Sequence, residues 1–144
     1  DWRRLSKIQE IRLAEAASDE DRLAILHKIA KLEEEQIEDL ERAFETYTRI
    51  LAMDPVSREV RGQLSRLAHV LAAQARYAEI LTAVVEGAAD PGDERYLVVA
   101  REAADLWLSP TLRNAAKAAP LYGSLVSAYP DDASLFETYE RCLT

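Results

Sequence analysis

The stretch LERAFETYTRILAMDP, residues 40–55, decides the fold, because a second version of it, AAKAAPLYGSLVSAYP, occupies residues 115–130. Ala43, Tyr47 and the Asp54-Pro55 step recur as Ala118, Tyr122 and Tyr129-Pro130, an offset of 75. The same shift carries Trp2, Leu5 and Ala14 onto Tyr77, Ile80 and Ala89. Within residues 40–55 the apolar positions Ala43, Phe44, Tyr47, Ile50 and Leu51 fall at helical spacing. Pro55 then ends the helix, since proline has no N–H to donate and pushes the residue before it towards extended backbone. A long-period self-match of this kind marks a stack of similar units rather than a pocket built once around a reaction.

The rest of the chain reads as helix too. Ala and Leu dominate, and there are only four glycines in 144 residues, a composition that favours helix throughout. Helices are expected over 2–17, 20–36 and 40–53, then from Ser57, from Tyr77, over 93–108, up to Tyr129, and over 132–143. Turns are expected at Ser18-Asp19-Glu20, Gln74-Ala75-Arg76, Ala89-Asp90-Pro91-Gly92 and Ser109-Pro110-Thr111. Pro120 falls inside the seventh helix, where it must remove one backbone bond or mark a later start. Glu33-Glu34-Glu35 reads as the solvated end of a helix face. The aromatic residues Trp2, Phe44, Tyr47, Tyr77, Trp107, Tyr122, Phe136 and Tyr139 lie on apolar stripes and are mostly packing residues. Tyr96 and Tyr129, beside breaks, are expected to be exposed. Short connections imply antiparallel neighbours.

Charge and cysteine usage narrow the class of function. Hydrophobic residues make up 49% and charged residues 31%, which suits a folded chain and not a disordered one. The net charge of −8 repels phosphate backbones, so nucleic acid is not the expected partner. No apolar run reaches the roughly 18 residues a membrane span needs. With Cys142 alone, no internal disulfide can form. Cys142 reads as a small apolar residue covered when a further repeat follows it. No secretory leader is legible, and a cytoplasmic location is the expectation.

The helix pairs resemble tetratricopeptide repeats. The resemblance rests on Leu26, Ile29-Ala30, Ala43, Tyr47 and Pro55 in a first pair. In a second it rests on Leu64, Leu67-Ala68, Leu71, Ile80, Val84 and Gly87. In a third it rests on Ala100, Ala103-Ala104, Trp107, Ala118, Tyr122 and Pro130. It implies one all-α domain over 1–144, a right-handed α-solenoid of about eight helices. Its parts are an orphan second helix at 1–17, pairs at 20–55, 57–90 and 93–130, and an orphan first helix at 132–143. Ala30 and Ala104 would let backbones approach closely, and Tyr47 and Tyr122 would fill the wedge between pairs. Half of 75 lies close to the 34-residue unit of the family. The alternation of unlike pairs is similar to the long arrays of large bacterial proteins. The chain is expected to be a piece of such an array, with apolar end helices open to self-association.

In that family the first helix of each pair lines a concave groove for a peptide. The positions implied here are His27, Lys31 and Glu34 (with Ala24), then Ser65 and His69 (with Ala72), then Arg101 and Asp105 (with Val98). The expected function is a protein-interaction scaffold that binds a peptide or protein segment in the groove. The alternative is a structural spacer or assembly module of a large protein, with no groove ligand. No metal site is expected, because two histidines and one cysteine form no ligand cluster. No cofactor is expected either, since no glycine-rich phosphate loop is present. No triad or nucleophile elbow points to an enzyme.

Overall fold

The computed structural model describes residues 1–144 and contains eight α-helices and no strand. They are α1 (Trp2–Glu15), α2 (Asp19–Glu35), α3 (Leu40–Met53), α4 (Arg58–Leu71), α5 (Gln74–Glu86), α6 (Glu94–Leu108), α7 (Ala115–Ala128) and α8 (Ala133–Leu143). The chain divides into two compact units, Asp1–Ala73 and Gln74–Thr144, so each holds four helices. The expected second pair, 57–90, is shared between them, since α4 belongs to the first unit and α5 to the second.

The offset of 75 is kept down to individual caps. Ser18, Asp39 and Ser57 cap α2, α3 and α4 by accepting from a backbone N–H in the first turn of the helix. Asp93, Asn114 and Asp132 do the same for α6, α7 and α8. Each such bond satisfies one of the donors that a helix start leaves without a partner. Glu38 and Arg113, one residue before the caps of α3 and α7, both take left-handed backbone, with φ of 61° and 46°. Asp54 and Tyr129 close α3 and α7 in closely similar conformations, each just before a proline. The two copies thus share turn geometry as well as apolar pattern.

Two sequence-based expectations are corrected. The turn expected at Gln74-Ala75-Arg76 lies at Ala72-Ala73, and α5 has already begun at Gln74. Ala72 is left-handed with φ 54°, and the Ala73 N–H donates to the Ala68 carbonyl at 2.7 Å. This is a Schellman-type ending, which usually carries glycine, so no punctuating residue advertises it. Pro120 does not mark a later start, because α7 begins at Ala115 and continues through it.

In the first unit α1 packs on α2, α2 on α3, and α3 on α4. Leu26, Ile29, Ala30, Ala43, Phe44, Ile50, Leu51, Leu64 and Leu67 form its buried interior. An Arg49–Glu10 pair at 3.0 Å ties α3 to α1. In the second unit α5 packs on α6, α6 on α7, and α7 on α8. Its interior is Tyr77, Leu81, Val99, Ala103, Ala104, Trp107, Ala118, Tyr122 and Leu125. Gly123 serves a close approach there, since a Cβ at that position would stand 3.3 Å from the Tyr139 ring.

The aromatic residues divide as their stripes suggest, with two exceptions. Phe44, Tyr47, Tyr77, Trp107 and Tyr122 are buried. Trp2 and Phe136, expected inside, are each 49% exposed, because nothing packs over the outer sides of α1 and α8 in this chain. Ile8, Ile11 and Leu143 are exposed for the same reason. Tyr129 is exposed as expected, whereas Tyr96, expected to be exposed, is half-buried.

Candidate interaction surfaces

The groove residues read from the sequence fall on solvent-facing helix positions. His27 and Lys31 on α2, Ser65 and His69 on α4, and Arg101 and Asp105 on α6 are all exposed, and Glu34 is half-buried. In the first unit the faces of α2 and α4 are joined directly. Glu34 pairs with Arg66, whose guanidinium also donates to Gln63 at 2.6 Å. His27, Lys31 and Glu34 follow one another at helical spacing on α2, and Ser65 and His69 flank Arg66 on α4. The ion pair therefore brings these five residues onto one surface. Arg101 and Asp105 lie in the second unit.

Two of the seven have structural duties. Glu34 contacts the Tyr47 hydroxyl, and burial together with that carboxylate raises the Tyr47 pKa. Asp105 accepts from the Tyr122 hydroxyl at 2.6 Å, and burial first and this carboxylate second push the Tyr122 pKa up. The repeated tyrosine thus performs one task in both copies, holding a carboxylate on the preceding helix. The carboxylate sits one helical turn further along in the first unit.

Glu33 overturns the reading of the glutamate run. It is 2% exposed and not solvated at all. The Thr46 hydroxyl donates to its carboxylate, and Arg42 stands 3.2 Å away. Burial raises the Glu33 pKa above the usual carboxylate value, while Thr46 and Arg42 oppose that rise. Sequence reasoning missed this residue because three adjacent glutamates point in three directions around a helix, and only one can face inward. The signal was available in the spacing, since Glu33 lies four residues after Ile29, on the buried stripe.

Two concavities accompany these faces. Between α1 and α2 of the first unit lies a recess of about 290 Å³, walled by Trp2, Leu5 and Leu32, with Lys28 and Lys31 at its mouth. Gln9 also lines it, and its side-chain oxygen is buried without a hydrogen-bond partner. In the second unit a groove of about 620 Å³ runs beside α5, α6 and α7. There the Lys117 ammonium lies 4.6 Å from the centre of the Trp107 ring and pairs with Glu79 at 3.2 Å. Pro120 lines this groove beside Ala116, whose carbonyl lacks the N–H that any other residue at 120 would donate.

No group of three or more His, Cys, Asp or Glu side chains is placed to hold a metal ion. No helix is long and apolar enough to cross a membrane. Compared with protein-family models, curated proteins and solved structures, the chain matches none of them.

Proposed function

We propose that this chain is a helical-repeat module of the tetratricopeptide type, a solenoid of antiparallel helix pairs whose task is to hold another polypeptide. The observation that carries the reading is the repetition at 75, which extends to the N-caps of three helices in each unit and to the left-handed residues Glu38 and Arg113. Chains built by repeating one supersecondary unit present extended faces suited to binding. In the first unit the face offered is the α2–α4 surface, with His27, Lys31 and Glu34 on one helix and Ser65 and His69 on the other. Its mixed charges would select the partner and fix register more than they would add affinity. No bond is made or broken; the module positions what it holds.

A random peptide library displayed against the chain tests this reading. Selected peptides should bind a His27→Ala/Ser65→Arg/His69→Ala variant at least about tenfold more weakly. A selection that enriches nothing, or peptides that bind wild type and variant equally, would overturn it.

A further inference from the structure

The groove beside α5, α6 and α7 has a counterpart in the first unit, and there a guanidinium spans it. Arg49 on α3 meets the Glu10 carboxylate on α1 twice, at 3.0 and 3.4 Å. At the offset of 75, Arg49 and Glu10 correspond to Ser124 and Val85, and both of these line the groove. The Ser124 hydroxyl turns back onto its own helix and donates to the Pro120 carbonyl at 3.3 Å. A carboxylate remains one residue along from Val85. Glu86 lines the groove, stands exposed, and its side chain has no hydrogen bond or ion pair. The second unit thus keeps an acid on its first helix and lacks the arginine that would meet it.

We propose that this groove receives an arginine side chain from a partner polypeptide, with an apolar residue of the same segment beside it. The site goes beyond the α2–α4 surface and uses none of its residues. The charged residues lining the groove are Glu79, Glu86 and Lys117. Lys117 is held by Glu79 and by the Trp107 ring, which leaves the Glu86 charge unmatched. A cation is what complements it, and a net charge of −8 draws a basic segment towards the chain. Arginine suits the place better than lysine, because its planar fork gives a carboxylate two bonds at once, as Arg49 gives Glu10. Val85, Pro120 and Leu121 supply apolar wall for the arginine stem. A groove of about 620 Å³ has room for a neighbouring side chain as well, so a polypeptide segment fits it better than a lone guanidinium.

The test uses two blocked pentapeptides, each with leucine on either side of a central residue and glycine at both ends. The central residue is arginine in one and citrulline, which has its shape without its charge, in the other. The Trp107 indole N–H reports on the groove, since it donates to Thr82, one helical turn before Glu86. Proton–nitrogen spectra separate it from Trp2, which has the other indole of the chain. Expected is a saturable shift of the Trp107 signal, with the citrulline peptide about tenfold weaker. Glu86→Gln should erase the preference for arginine. Val85→Glu/Ser124→Arg, which copies the Glu10–Arg49 pair, should close the groove and abolish binding with the helical spectrum unchanged. Equal affinity for the two peptides, an undiminished preference in Glu86→Gln, a shift at Trp2 alone, or undiminished binding to the double variant would each overturn the assignment. A Trp107 signal that moves with chain concentration before any peptide is added would overturn it too, by giving the groove to a second copy. The groove is read at Trp107 and the α2–α4 surface through its own triple variant, so either can fail while the other stands.

Discussion

The two units share a frame and differ in what fills it. The N-caps and starts of the last three helices of each unit coincide at the offset of 75, as do the ends of α3 and α7, yet every buried polar residue of the chain lies in the first unit. They are Ser6, Gln9, Glu33, Thr46 and Arg61. Where the first unit has Glu33 beside Arg42 and Thr46, the second has Trp107 beside Lys117 and Leu121. Backbone geometry is set by residues at the ends of helices, where a side-chain oxygen must meet an orphan N–H. The interior tolerates wide exchange provided volume and polarity are matched in concert. Glu33 and Thr46 illustrate this, since each polar group exists with its partner and both are apolar in the other copy.

Equivalent core truncations would break the comparison most sharply. Ile50 and Leu125 occupy the same position and are 1% and 0% exposed. Ile50→Ala and Leu125→Ala should each cost about 2–5 kcal/mol in denaturant unfolding. A loss below about 0.5 kcal/mol in either would show that the two copies do not share a core register. The next effect concerns the filling. Glu33→Leu/Thr46→Leu gives this place the apolar character it has in the second unit, and replacing a buried charge and its partners by apolar groups is neutral or stabilising by about 1–4 kcal/mol. Arg42 is half-exposed and returns to water, so it does not become a buried orphan. Strong destabilisation would show that the polar cluster is required by the frame. The smallest effect belongs to the tyrosines. Tyr47→Phe and Tyr122→Phe should each cost about 0.5–1.5 kcal/mol, the net value of one hydrogen bond.

The frame was legible in the sequence because its signals are local. Asp54-Pro55 and Tyr129-Pro130 end helices by the chemistry of proline, and the spacing places α3 at its observed bounds, Leu40–Met53. The turn at Ala72 was not legible, since an alanine in left-handed backbone looks like any helical alanine. The exposure of Trp2 and Phe136 was missed for a different reason. A stripe says which side of a helix is apolar, but not whether anything covers it.

The central claim is one frame with two fillings, and the buried carboxylate gives it a measurable sign. The raised pKa of Glu33 means that the folded chain holds this proton more tightly than the unfolded chain. Its stabilising contribution is therefore fully present below the ordinary carboxylate pKa and is lost as pH rises through the raised value. Other carboxylates titrate in the same range, so the quantity to measure is the difference in unfolding free energy between wild type and Glu33→Leu/Thr46→Leu across roughly pH 3–9. Expected is a wild type that loses stability relative to the variant as pH climbs above the ordinary carboxylate value. The loss amounts to about 1.4 kcal/mol for every tenfold by which folding tightens the hold on the Glu33 proton. A difference that stays flat, or that moves in favour of wild type, would contradict a buried carboxylate in the first unit.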